Sequence, residues 1–120
     1  MAKLVKLDPK YWPLDDYGYW CPGCKFGHEI AVTKANHSGA RWSFNGDGQR
    51  PTFSPSLHLK VNTPDMGPHY QPDIGSTVCH CFIRDGKIQF LGDCTHALRG
   101  QIVDLPDIPA GRYLSCEPVA

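Results

Sequence analysis

Alternation of apolar and polar positions is strongest in the middle of the chain. In Ser56–Val61 (SLHLKV), Leu57, Leu59 and Val61 fall on one side and Ser56, His58 and Lys60 on the other, the pattern of a half-buried strand. Thr77–Arg84 (TVCHCFIR), an Asp85-Gly86 turn and Lys87–Leu91 (KIQFL) make the clearest β-hairpin. Glu29–Thr33 (EIAVT) and Ala40–Phe44 (ARWSF) read as strands joined through the turn formers Asn36, Ser38 and Gly39. Asn45-Gly46-Asp47-Gly48 is a turn signal, and Gln101–Leu105 (QIVDL) reads as a last strand. Asp93 is placed to cap a short helix reaching about Leu98, with Gly100 ending it. Residues 1–19 contain Tyr11, Trp12, Tyr17 and Tyr19 together with Pro9 and Pro13, so an extended aromatic arm is expected there. Residues 62–75 carry three prolines and two glycines without periodicity and read as a flexible loop. The expected fold is mainly β, with one short helix and long irregular loops.

Composition narrows the class. A chain of 120 residues accommodates one domain, here 1–120, and its 12 Gly and 11 Pro suit loops better than helices. Twelve Lys plus Arg balance twelve Asp plus Glu, leaving no positive surplus to grip nucleic acid or an anionic membrane. No apolar run approaches the roughly 20 residues of a membrane span. The opening MAKLVKLDPK has no apolar signal core, so a cytoplasmic protein is expected. Six cysteines without an export signal then favour a metal over disulfides.

Cys21-Pro22-Gly23-Cys24 is the strongest chemical motif. A tight Pro-Gly turn between two thiolates aims both sulfurs at one ion, and the βαβ setting of a redox dithiol is missing. Zinc needs four ligands, so a second pair must come from elsewhere. On a regular strand, Cys79 and Cys81 share one face and His80 points to the other. A bulge would allow Cys79 and His80 to bind together, and His28 is a competing ligand. Cys94 and His96, in Asp93-Cys94-Thr95-His96, fit a capped turn better than a second metal. Asp93 or His96 could still orient a ligand or activate a zinc-bound water. Pro51-Thr52-Phe53-Ser54-Pro55-Ser56 alternates three hydroxyls; it reads first as a rigid lead-in to a strand and second as a cradle for a peptide or anion.

Several segments together resemble a family of small proteins of unknown function from tailed phages, prophages and bacteria. These are Trp20–Cys24, His28–Ile30, Trp42–Gly46, Pro51–Ser56, Cys79-His80 with Phe82–Gly86, Asp93–Leu98, and Gly100-Gln101. Some members carry the label ammonia monooxygenase, which does not suit a chain with no membrane span. The resemblance implies a zinc knuckle made by Cys21, Cys24, Cys79 and His80, with Cys81 a spare thiol. It also implies a phage or prophage gene product acting in the host cytoplasm.

The expected function is therefore a non-catalytic module, stapled by structural zinc and acting on a protein partner, with nucleic acid and membrane excluded. The alternative is a zinc-dependent hydrolase: Cys21, Cys24 and Cys79 would bind the ion, water would hold the fourth position, and His28, Asp93 or His96 would move protons. Closed thiolate-rich sites are usually structural, which ranks the module first.

Overall fold

The computed structural model describes residues 2–62, 76–113 and 116–120. Two antiparallel sheets share one core. The first orders its strands β3-β2-β1-β9, where β1 is Val5–Lys6, β2 Tyr17–Cys21, β3 Phe26–Ile30 and β9 Glu117–Pro118. The second has the order β4-β5-β6-β7-β8, with β4 Ser43–Phe44, β5 Phe53–Asn62, β6 Ser76–Arg84, β7 Lys87–Phe90 and β8 Ile102–Asp104. The mainly-β expectation holds, and no helix occurs among the described residues.

Alternation governs the second sheet as the sequence predicts. Along β6, Cys79, Cys81 and Ile83 are buried while His80 and Phe82 are only partly covered. The partners of these residues on β7, Ile88 and Phe90, are buried in turn. The β6–β7 turn has positive φ at both Asp85 (50°) and Gly86 (76°), the backbone that a tight right-twisting hairpin demands. From the other sheet, Leu4, Tyr19, Cys21 and Ile30 enter the same core as Phe53, Leu57 and Phe90. Each large apolar side chain fully buried there contributes roughly 1.5–3 kcal/mol.

The structure departs from the sequence reading in several places, and the strand expected at Glu29–Thr33 runs instead over Phe26–Ile30. Tyr17–Cys21 is no arm: β2 lies between β1 and β3, and Tyr19 is fully buried, because its ring fills the space facing the second sheet. The helix expected after Asp93 is a succession of turns, since Cys94 and Thr95 spend their polar groups on the backbone of β6 instead of a helical ladder. Of the predicted Ala40–Phe44 strand only Ser43–Phe44 pairs with β5. The loop expected over 62–75 lies outside the described residues apart from Asn62, which ends β5.

Between Phe53 and Leu57, β5 loses register with β6: Phe53 faces Ile83 and Leu57 faces Cys81. Four steps along β5 thus answer two along β6. The extra residues include Pro55, which has no N–H to give a ladder. Beyond the bulge the pairing is regular, with His58 opposite His80 and Leu59 opposite Cys79.

Candidate active site

Two groups of reactive side chains lie on opposite faces of β6. The inner group begins with the Cys-Pro-Gly-Cys turn. β2 delivers Cys21 into the core, and the turn closes with a Lys25 N–H bond to the Cys21 carbonyl at 2.8 Å and Lys25 at φ 56°. The Cys24 N–H points at Cys21 Sγ (3.3 Å), and Cys79 Sγ lies 3.8 Å from the same sulfur. His96 completes the group: ligand atoms of Cys21, Cys24, Cys79 and His96 all fall within 4.8 Å of one another, and all four residues are buried.

Three sulfurs and an imidazole are a donor set that suits a divalent ion of the zinc class. His96 Nε2 is buried and has no hydrogen-bond partner among the described residues, an orphan that a metal bond would satisfy. The His96 ring crosses directly over Gly23; a Cβ there would come within 2.2 Å of it, so the glycine of the turn makes room for the imidazole. Burial lowers the His96 pKa, which favours the neutral, ligating ring. Hydrogen bonds from Cys24 and Cys79 hold Cys21 far below the usual thiol value, whereas Cys24 and Cys79 are pushed up. A divalent charge among the three sulfurs would favour the thiolate form of each.

The fourth member expected of this cluster was His80, and the structure places His80 elsewhere. Strand alternation turns it to the outer face, away from Cys79. His28 is buried edge-on against Tyr19 (ring centroids 5.5 Å apart) and stands outside the four-residue group. Cys81 lies in the core, and all six cysteines are free thiols.

On the outer face, His80 Nε2 lies 3.2 Å from Ser56 Oγ, and His80 Nδ1 lies 3.0 Å from Asp93 Oδ2 and 3.3 Å from Oδ1. Each member has its own support. Ser56 lies within the irregular stretch of β5 between Phe53 and Leu57. His80 sits in mid-β6. Asp93 heads a segment tied down along β6, where Leu91 N–H bonds the His80 carbonyl at 2.9 Å and Thr95 N–H bonds the Val78 carbonyl at 3.0 Å. Thr95 Oγ1 accepts from Val78 N–H at 2.9 Å, and Cys94 Sγ bridges the N–H and carbonyl of His80 at 3.2 Å each. Burial pushes the Cys94 thiol up, keeping it the S–H form that can donate to that carbonyl.

The electrostatics follow from these bonds. The hydrogen bond from His80 holds the Asp93 carboxyl below the usual carboxylate range, so it stays ionised. An ionised Asp93 fixes the proton of the neutral imidazole on Nδ1, leaving the Nε2 lone pair facing the serine hydroxyl. This is the sequence of contacts that serine hydrolases place between nucleophile, base and orienting carboxylate, a class recognised by geometry and role, not by chain order. The side chains of His80 and Asp93 are 25% and 53% exposed, so the line can be reached from solvent.

The family comparison agrees with that class. A family model described as "BubE: Bacterial ubiquitination-like system serine protease (BubE)" matches residues 5–91, more than half of the chain, and the chain belongs to that family. No curated protein and no solved structure matches it significantly. This finding overturns the expected function. The family is one of serine proteases, so the structural-zinc interaction module, and the zinc hydrolase offered beside it, are both displaced.

The sequence reads Ser56 as part of a rigid lead-in or cradle, His80 as a zinc ligand, and Asp93 both as a helix cap and as a candidate to move protons at a zinc-bound water. Alternation sets Ser56 and His80 on the polar sides of their strands, but the register shift that brings them together and the return of Asp93 along β6 have no local signal.

Proposed function

We propose that this chain is a serine protease of a bacterial ubiquitination-like system, with Ser56 as nucleophile, His80 as general base and Asp93 as the carboxylate that orients it. The observation that carries the proposal is the continuous contact from Ser56 Oγ through both nitrogens of His80 to Asp93. Membership of the serine protease family supports it independently.

In this reading Ser56 Oγ attacks the carbonyl carbon of an amide bond while His80 Nε2 takes the hydroxyl proton. The imidazolium is stabilised by ionised Asp93 and then gives the proton to the leaving amine. Water, deprotonated by the same nitrogen, hydrolyses the ester on Ser56 and restores the enzyme. The substrate is a protein, which an open site and the family's ubiquitination-like setting both favour.

The inner cluster takes zinc in this account, held by Cys21, Cys24, Cys79 and His96. Its support is the donor set and the orphaned His96 nitrogen. Cys21 and Cys24 of the turn, Cys79 of β6 and His96 after β7 would hold the ion between them, and such a staple would steady the segments that carry His80 and Asp93. Free cysteines suit a reducing cytoplasm, where such an ion would be retained. Among the described residues no helix is long and apolar enough to cross a membrane.

The test is hydrolysis of a ubiquitin-like protein carrying a peptide extension on its carboxyl terminus. Wild-type protein should release the extension, and Ser56→Ala should release none above background. Equal release by the two would refute the assignment.

A further inference from the structure

His58 takes no part in the proton relay, because Ser56 and Asp93 already occupy the two ring nitrogens of His80. It is nevertheless placed on His80 by strand register. The two are direct partners across β5 and β6, and their rings lie 4.6 Å apart with a 30° tilt. Ligand atoms of His58, His80 and Asp93 all fall within 4.8 Å of one another. Two imidazoles and a carboxylate are a donor set that borderline transition metals take readily. Two paired strands and a tethered segment preset the three residues. Their exposure gives an ion a way in from solvent and leaves water to complete its coordination.

We propose that His58, His80 and Asp93 form a second divalent-metal site, of the zinc class, whose occupation switches the protease off. The binding claim stands on geometry alone; the inhibition claim rests on His80 being the general base. A neutral imidazole has one lone pair. An ion bound at Nε2 uses the lone pair that Ser56 needs. An ion bound at Nδ1 moves the proton to Nε2, which then cannot accept one. Metal binding and catalysis are mutually exclusive at either nitrogen. The inner cluster, closed and rich in sulfur, would hold its ion far more tightly than this open site with nitrogen and oxygen donors, so the two would be filled in turn.

The experiment uses the full chain, loaded with one equivalent of zinc and dialysed. Zinc chloride is titrated while hydrolysis is followed, and cobalt chloride is titrated in parallel while its visible absorption is read. Zinc should inhibit reversibly on dilution. His58→Gln should keep the metal-free rate but need at least the roughly tenfold higher zinc that loss of even an outer partner of a metal site entails. The cobalt signal of the second site should weaken in the same variant. Ser56→Ala, silent in hydrolysis, should still give the full cobalt signal. Equal zinc sensitivity of His58→Gln and wild type, or identical cobalt titrations, would overturn the second site. Hydrolysis surviving in Ser56→Ala would instead refute the triad, leaving the cobalt titration to decide the metal.

Discussion

The inner face of β6 meets three thiols and an imidazole that are closed to water, while its outer face meets a serine, an imidazole and a carboxylate that are open to it. Cys79 and His80, adjacent in the chain, belong to different chemistries because successive side chains on a strand point opposite ways. The segment after β7 repeats the division: Asp93 reaches the outer group and His96 the inner one, with Cys94 and Thr95 bound to β6 between them. The closed group has the features of a fixed staple. The open one has those of a reacting centre, with a polar line that solvent and substrate can approach. Each therefore has its own way to be broken, and damage to the inner group should reach the outer one but not the reverse.

The largest effect should come from the inner group. Cys79→Ser, or removal of zinc by a strong chelator, should abolish both the cooperative thermal transition and hydrolysis. A structural zinc contributes on the order of 10–16 kcal/mol, as much as the whole stability of an ordinary domain. Calorimetry with and without chelator checks this, and an unchanged transition would contradict the staple. Ser56→Ala should do the opposite, lowering kcat by about a millionfold with an unchanged thermal midpoint. Asp93→Asn keeps the shape but not the charge that sets the His80 proton, and should cost about ten-thousandfold in kcat.

How much of this was legible in the sequence depends on distance along the chain. The hairpin of β6 and β7 and the polar sides of β5 and β6 followed from local alternation, and the structure reproduces them. The pairing of β5 with β6 does not follow, because the bulge between Phe53 and Leu57 shifts register by two residues and no local signal counts that shift. Without it, Ser56 cannot be placed beside His80. The Cys-Pro-Gly-Cys turn was plain, but its histidine partner was not: His96 sits on Gly23 only after the segment following β7 folds back along β6. Asp93 is legible both as a helix cap and as a proton-moving group, since an Asp ahead of a turn has the same sequence signature whether it caps a helix or faces a histidine.

Smaller effects probe the link between the two groups. Thr95→Ala removes one hydrogen bond to the Val78 N–H, worth about 1–3 kcal/mol where burial leaves that group unsatisfied. Stability should fall by that amount, and kcat by up to about 100-fold, as expected when a catalytic group shifts by an ångström. Loss of stability without loss of rate would show that Asp93 is held by other contacts.

The smallest effect belongs to a residue outside both groups. Burial pushes the Asp16 carboxyl up, but hydrogen bonds from Thr33 and Val32 outweigh it and hold the group below its usual value. Its contribution is complete above the carboxylate value of the unfolded chain and fades as pH falls through the lower, folded value. Asp16→Asn should lower the melting temperature by roughly 2–5 °C at neutral pH, with the gap closing in acid and the rate at neutral pH unaltered. A gap that widened in acid would contradict the assignment.

The most direct measurement of the central claim is covalent capture of the nucleophile. Full-length protein treated with a fluorophosphonate should gain one adduct per chain, located on Ser56 by peptide mass spectrometry. Labelling should be lost in His80→Ala and in Ser56→Ala. An adduct that persists in Ser56→Ala, or a native protein that takes no label, would contradict the triad.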